Sequence, residues 1–390
     1  MRLPSESELS REQREVCQAP LNGTTLVLGP PGSGKTVVAV FRLEAARKLG
    51  VEARVAVHNR VLSRYTGLEG TFHTWFKDWW CRATGSPARA IPRVESDWGY
   101  RPVDYAETIR KIAGQFRDRV RTDGHWGHLI LDEAQDFPVE AHQLLNLVPM
   151  VVFADAGKSG RPSLTILADE NQRITESNAT IAEIMHAHYL TSDDVYTLTK
   201  NYRNTREIAK VARFFHVGAA TGVPELPTRR GNKPQFVRTS GVRDAAERIA
   251  NYALMHPDHE IGVLVQYKPT RSRFFSELCS RLSVRGVRVQ QYDGSPGNAD
   301  GLVFDKPGTV TVLCYSSAKG LEFDAVFLPE LQTLRVDGEA EDFAKMNLYV
   351  MCSRARTHLV LMVDRDTPRH SPLWRILPSE DDRRRLFDIV

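Results

Sequence analysis

Residues 26–36, LVLGPPGSGKT, run from an apolar segment through a turn of glycine and proline into Gly-Lys-Thr. Gly29, Gly34, Lys35 and Thr36 fall at the spacing G-x-x-x-x-G-K-[ST], with Gly32 between them. That spacing suits a phosphate chain. The glycines let backbone N–H groups curl around the anion, and a helix that follows points its positive end at it. Lys35 would reach the β/γ-phosphates, and the Thr36 hydroxyl would hold Mg²⁺. A second string, HLILDEAQD (residues 128–136), ends an apolar run in adjacent carboxylates. Asp132 would complete the magnesium shell, and Glu133 would accept a proton from an attacking water. Alone, either string has a plainer reading: a chance glycine turn, or a helix cap. Together they point to nucleotide hydrolysis.

Such residues need a scaffold that brings distant strand ends together. Short apolar runs bounded by turns read as buried parallel strands. In the first half they are TTLVLG (24–29), RVAVHN (54–59), HLILDE (128–133) and SLTILAD (163–169). In the second half they are KPQFVRT (233–239), IGVLVQY (261–267), TVTVLCY (309–315), AVFLPE (325–330) and HLVLMVD (358–364). Helical stretches such as KTVVAVFRLEAARKLG and PVEAHQLLNLV lie between them. The alternation predicts an α/β protein of two lobes on parallel sheets, residues 1–198 and 199–390. Residues 71–126, rich in tryptophan and arginine, read as a small helical insert in the first lobe, its body at about 77–126. Residues 294–308 read as a Gly/Pro/Asp loop in the second.

Composition narrows the class. The chain has 390 residues, 42% hydrophobic and 26% charged, which is a globular balance long enough for two or three cores. The net charge of +4 leaves no basic tail. Basic clusters at 117–121, 227–233 and 281–289 suit a phosphate backbone, or plain solvated surface. The five cysteines contain no CxxC pair, which argues against a zinc site or a disulfide framework and for reduced thiols. The first residues lack the apolar core of a signal peptide, and no apolar run approaches the ~20 residues that span a bilayer. A cytoplasmic protein is expected.

Taken in order, a series of strings resembles superfamily 1 helicases of the UvrD/PcrA/Rep branch. REQREV, with Gln13, resembles the adenine-reading Q motif, and GPPGSGKT resembles motif I. VAVHNRVLSRY, with Asn59, resembles motif Ia, and LILDEAQDF motif II. GTFHTWF, with Thr71, His73 and Trp75, resembles the Thr-Phe-His segment that touches single strands. TILADENQRI resembles motif III, and LTKNYRNTREIAKVA motif IV. YSSAKGLEFDAVFL, with Ser316 and Ser317, resembles motif V, and NLYVMCSRARTHLVLMV motif VI. The resemblance covers nearly the whole chain. It implies two RecA-like lobes with ATP and Mg²⁺ in the cleft between them. Gln13 would read the adenine, Tyr202 would stack on it, and Glu322 would contact the ribose. Gln172 would sense the γ-phosphate, while Arg203 and Arg354 would act as arginine fingers. Asn59, Thr71, His73, Trp75, Ser316 and Ser317 would face nucleic acid.

Three departures shape what the resemblance implies. The aromatic pair that follows motif III in that class is replaced by Thr175 and Ser177. Base stacking contributes ~1–3 kcal/mol per base, so its loss weakens a base-by-base grip. Trp75, Phe76, Trp79 and Trp80 offer either a substitute platform or packing of the insert. The large accessory subdomain before motif V shrinks to the 294–308 loop. Ser316 stands where motif V usually has histidine. Two functions remain open. One is a motor that tracks single-stranded DNA, 3′ to 5′ by the resemblance, RNA being the other candidate track. The other is an ATP-gated sensor of DNA ends or gaps working with a partner nuclease, as UvrD-like subunits of some bacterial anti-phage complexes do.

Overall fold

The structure, a computed structural model, describes residues 4–57, 70–95, 101–157, 160–169, 178–218, 224–292, 301–336, 338 and 340–390. Its strands form two sheets. The first contains β1 (Thr24–Leu28), β2 (Ala53–Val57), β3 (His128–Asp132), β4 (Ser163–Ala168) and β5 (Val195–Thr197), in spatial order β2-β3-β4-β1-β5. The second contains β6 (Gln235–Thr239), β7 (Glu260–Val265), β8 (Arg288–Gln291), β9 (Thr309–Cys314), β10 (Phe323–Leu328), β11 (Ala355–Asp364) and β12 (Asp388–Ile389). Its order is β12-β6-β11-β10-β7-β9-β8. All pairings among these strands are parallel.

Helices follow the strands as parallel crossovers require. Within the first lobe they are α1 (Arg11–Gln18), α2 (Lys35–Lys48), α3 (Phe72–Thr84), α4 (Tyr105–Ala113), α5 (Arg117–Asp123), α6 (Val139–Leu147) and α7 (Ile181–His188). Beyond it come α8 (Arg206–Phe214), α9 (Val242–Met255), α10 (Lys268–Leu282), α11 (Tyr315–Ala318), α12 (Ala340–Cys352), α13 (Leu373–Ile376) and α14 (Glu380–Leu386). The result is an α/β arrangement of two RecA-like lobes. Among the described residues no helix is long and apolar enough to cross a membrane.

Alternation along the strands decides which core each side chain joins. Leu26, Leu28, Leu129 and Leu131 face a core that contains Phe72, Trp75, Phe76, Trp79, Trp80 and Trp126. The helical insert is therefore one wall of the first lobe, sharing its core, and not a separate unit. Val27, Ile130 and Leu167 face the opposite way, into a core that continues through Ile208 of α8 to Leu264, Leu313 and Leu361 of the second sheet. Ile261, Val263 and Val265 face a third core under α9 and α10.

Arg42 ties the layers near α2 together. It is fully buried, and its guanidinium donates to the carbonyls of Val16 at 2.6 Å and Ala19 at 3.1 Å and to Thr165 Oγ1 at 2.7 Å. Burial lowers its pKa to about 10. These bonds fix α1, α2 and β4 relative to one another.

At Gly262 of β7 the ring of Phe323 packs directly against the backbone. A Cβ there would lie 2.5–2.9 Å from the ring of Phe323, which is itself fully buried. Gly262→Ala is expected to destabilise the protein by about 1–3 kcal/mol, the range for overpacking. Urea unfolding measures this directly, and an unchanged midpoint would contradict it.

The nine strand segments read from sequence are all strands, shifted by up to a few residues. Three further strands, β5, β8 and β12, lie outside that reading. Each sits at an edge of its sheet.

Candidate nucleotide site

Parallel register brings the carboxyl ends of β1, β4 and β3 side by side, with β4 between the other two. The turn after β1 starts at Gly29, whose N–H donates to Ala168 at the end of β4. It closes through two glycines in the left-handed region, Gly32 (φ 79°) and Gly34 (φ 89°). Glycine alone adopts such angles without strain. A Cβ on Gly32 would lie 2.7 Å from Asn201 Oδ1, and one on Gly34 would collide with Gln13 Nε2. α2 then begins at Lys35 with no side-chain cap, leaving its first N–H groups to the loop side. Lys35 Nζ donates to Gly29 O at 2.6 Å and lies 4.0 Å from the Asp169 carboxylate. Ser33 Oγ is buried with no hydrogen-bond partner among the described residues. A glycine cradle, a lysine and an orphaned hydroxyl fit a phosphate chain.

Gly34→Ala is expected to weaken nucleotide binding about tenfold or more, since left-handed strain of ~1–2 kcal/mol adds to the collision with Gln13. Titration of a fluorescent ATP analogue measures it, and parent-like affinity would contradict it.

The carboxylates sit opposite the loop. Thr36 Oγ1 donates to Asp132 Oδ2 at 2.8 Å, pairing the two oxygens that the sequence assigns to magnesium. A hydroxyl and a carboxylate are hard oxygen donors that suit Mg²⁺. Burial and the neighbouring Glu133 push Asp132 up to about 6, a strain that a bound cation would relieve. Glu133 adopts the left-handed conformation (φ 56°), uncommon outside glycine and asparagine. Burial would raise its carboxyl too, but Lys319, Lys35 and Arg354, with a hydrogen bond from Gln135, outweigh that and hold it low. Gln135 is a strut: its Nε2 donates to Glu133 Oε2 at 2.7 Å, and its Oε1 accepts from Asp169 N at 3.0 Å.

Groups from the second half reach this cluster. Lys319, just after α11, forms a buried ion pair with Asp136, which also accepts from Asn178 at 3.0 Å. Arg354, between α12 and β11, is fully buried and donates to Val350 O at 3.0 Å and Leu321 O at 3.3 Å. Burial and Arg203 lower its pKa, while the charges of Glu133, Glu322 and Asp169 act the other way. Arg203 donates to Glu322 Oε2 at 2.6 Å and to Ser353 O at 3.4 Å. Asn204, also fully buried, donates to Ser353 O and Ala355 O.

The remaining candidates lie as follows. Gln13 accepts from Ser10 N at 3.0 Å in a capping box and donates to Ser33 O at 3.0 Å, so its amide braces the loop from α1. Tyr202 is half exposed, and its N–H donates to Gly32 O at 2.9 Å. Glu322 is occupied by Arg203 and by Arg356 at 3.2 Å. Asn59, Gln172, Thr175 and Ser177 lie outside the described residues. Thr71 caps α3 and pairs with Val57 at the end of β2, with His73 half-buried two residues along. Ser316 is exposed and Ser317 half-buried on α11, at the carboxyl end of β9.

Trp75 lies in the packed wall of the first lobe. It is 7% exposed, packs against Trp79 and Trp126 at 6.1 and 5.8 Å, and borders Glu52 and Arg54 at the amino end of β2. Its ring belongs to the wall of the lobe and presents no stacking face at the strands' carboxyl ends. Phe76, Trp79 and Trp80 are buried more fully still. Apolar bulk repeating along one helix face has buried all four.

Sequence reasoning missed Gln135, Asp136, Asp169 and Lys319 as site residues. Asp136 and Lys319 sat inside the quoted DEAQD and KGLEF strings, but only the fold pairs them.

No family model matches the chain. Over 250 residues, 58% of its length, it is 24% identical to the Acanthamoeba polyphaga mimivirus protein named "Putative ATP-dependent DNA helicase R568". The match spans 33% of that protein, so the chain corresponds to about a third of the relative's length. A crystal structure titled as the C-terminal domain of a possible DNA helicase from Lactobacillus plantarum WCFS1 aligns with 48% of this chain and 98% of that one. The identity there is 20% and the TM-score 0.34. The chain is thus similar, at a distance, to a protein named as an ATP-dependent DNA helicase.

Proposed function

We propose that the chain is a nucleic-acid-dependent ATP hydrolase of the UvrD-like helicase class. Its closure around ATP would be coupled to its grip on single-stranded DNA. The observation that carries this reading is the convergence of two cations from the second lobe, Lys319 and Arg354, on the Asp132–Asp136 segment of the first. A site that needs both lobes can turn hydrolysis into lobe motion.

The residues divide the work. The Gly29–Thr36 loop and the start of α2 hold the phosphates, and Lys35 turns from its carbonyl partners to them. Mg²⁺, held through Thr36 and Asp132, would supply charge neutralisation at the β/γ-phosphates. Glu133 takes the proton as water oxygen bonds to the γ-phosphorus and the bond to ADP breaks. Its carboxyl is held low by Lys319, Lys35 and Arg354; phosphate oxygens that engage those cations would restore its basicity. Arg354 and Arg203 stabilise the charge that develops on the γ-phosphoryl group. Release of phosphate removes the anion that Arg354 and Arg203 would share with the first lobe, which loosens the cleft around the remaining Lys319–Asp136 pair.

Fluorescence anisotropy of labelled oligo-dT, with a non-hydrolysable ATP analogue against ADP, tests the coupling. Affinity is expected to differ several-fold between the two states and to fall steeply with salt. Equal affinity in both states would contradict the coupling, and absence of binding to any DNA or RNA would contradict the reading.

The sensor alternative is favoured by two observations: Thr175 and Ser177 stand at the stacking places, and only residues 292–308 lie between β8 and β9. It expects ends or gaps to stimulate hydrolysis with no dependence on strand length, and a partner to supply any nuclease.

A further inference from the structure

We propose that the turn between α9 and β7 is a binding site for a transition-metal ion of the Zn²⁺ type, with His256, Asp258 and His259 as ligands. The ligand atoms of these three residues all lie within 4.8 Å of one another. The proposal is independent of the nucleotide site, which lies at the opposite, carboxyl ends of the strands.

The backbone of the turn is already fixed. His256 N donates to Tyr252 O at 3.0 Å, ending α9, and His259 N donates to His256 O at 3.1 Å. The two imidazoles therefore project together, rings near-parallel at 20° with centroids 5.0 Å apart. The second observation is Tyr252. Its hydroxyl lies 2.9 Å from His259 Nδ1. With Nδ1–H donating to the phenol oxygen, the Nε2 lone pair is left for the ion. Metal-bound imidazoles use this outer support, which fixes ring orientation and tautomer. Tyr252 is itself held in place, its ring 4.2 Å from His256 on one contact and stacked on His358 at 4.5 Å on another. Asp258 is exposed and, among the described residues, engages no hydrogen bond or ion pair, so its carboxylate can rotate inward.

Two imidazoles and one carboxylate select Zn²⁺-like ions over Mg²⁺ and Ca²⁺, which take oxygen ligands. The ion would tie the end of α9 to the start of β7 and, through Tyr252, to β11. Its role would be to brace the second lobe.

The test uses tag-free full chain stripped with chelator, titrated calorimetrically with Zn²⁺, and with Co²⁺ read by visible absorption. The expected result is one ion per chain with a tetrahedral Co²⁺ spectrum. Zn²⁺ should raise the unfolding temperature of the parent and not of the His256→Ala/His259→Ala variant. Asp258→Ala, on an exposed side chain that folding does not need, should weaken binding at least tenfold. Tyr252→Phe should keep the stoichiometry and weaken binding by about tenfold, the lower end for an outer-shell partner. Absence of stoichiometric binding would overturn the proposal. So would binding left intact in the double-histidine and Asp258→Ala variants, which would place the ion elsewhere on the chain.

Discussion

Replacing Glu133 with glutamine is expected to lower kcat for ATP hydrolysis about 10²–10⁴-fold, the share that a positioned general base supplies, with ATP affinity almost unchanged. The geometry makes this substitution a clean one. Glu133 is 6% exposed and held by the Gln135 amide at 2.7 Å, and glutamine has its shape and volume. What is lost is the proton acceptor, together with one negative charge among three cations. Losing that charge should not weaken the attraction for phosphate, so binding is retained while turnover falls. Single-turnover hydrolysis beside equilibrium nucleotide binding separates the two effects. A variant that turns over at the parent rate would remove Glu133 from the role.

Arg354→Ala is expected to lower kcat about 10³-fold or more, in the range of an arginine finger, with a much smaller loss of ATP affinity. Arg354 belongs to the second lobe yet shares an electrostatic environment with Glu133 and Asp169 of the first. Its charge matters most when the γ-phosphoryl group carries most charge, so the effect falls on kcat. Alanine also removes the donor to the Leu321 carbonyl and one of two to that of Val350, which keeps Ser353 Oγ, and some stability is lost. Comparing ATP affinity with turnover at a temperature where the variant is folded isolates the catalytic part. Equal losses in both would mean that Arg354 only braces the fold.

The sequence revealed the sheet interiors and the loop chemistry for a physical reason. Strands such as HLILD and TVTVLC are buried along their whole length and carry a mostly apolar run, because helices cover both faces. The edges were silent. β8 is Arg-Val-Gln-Gln, and its polar surface reads as a basic segment. β5 is three residues long and β12 two, too short for any periodicity. The nucleotide loop was legible because its function constrains adjacent residues: Gly32 and Gly34 are forced by backbone angle, and Lys35 and Thr36 by position on α2.

Long-range pairs were less legible. Asp136 and Lys319 are 183 residues apart, and neither string alone says that they meet in a buried ion pair. Breaking a buried pair by removing one partner leaves an unpaired charge and is costly. Trp75 shows the opposite case. Four aromatics within six residues left a stacking surface and packing of the insert both open, and the helical period turns them all toward one core. Arg42 gave no signal at all, since only the fold places its guanidinium among the carbonyls that join α1 to α2.

The most direct test of the central claim is steady-state ATP hydrolysis by the isolated chain against the length of added single-stranded DNA, with gapped duplex and RNA in parallel. Coupling of hydrolysis to movement along a strand predicts strong stimulation that rises with strand length before levelling off. Stimulation that ignores length, or hydrolysis that no nucleic acid alters, would contradict it.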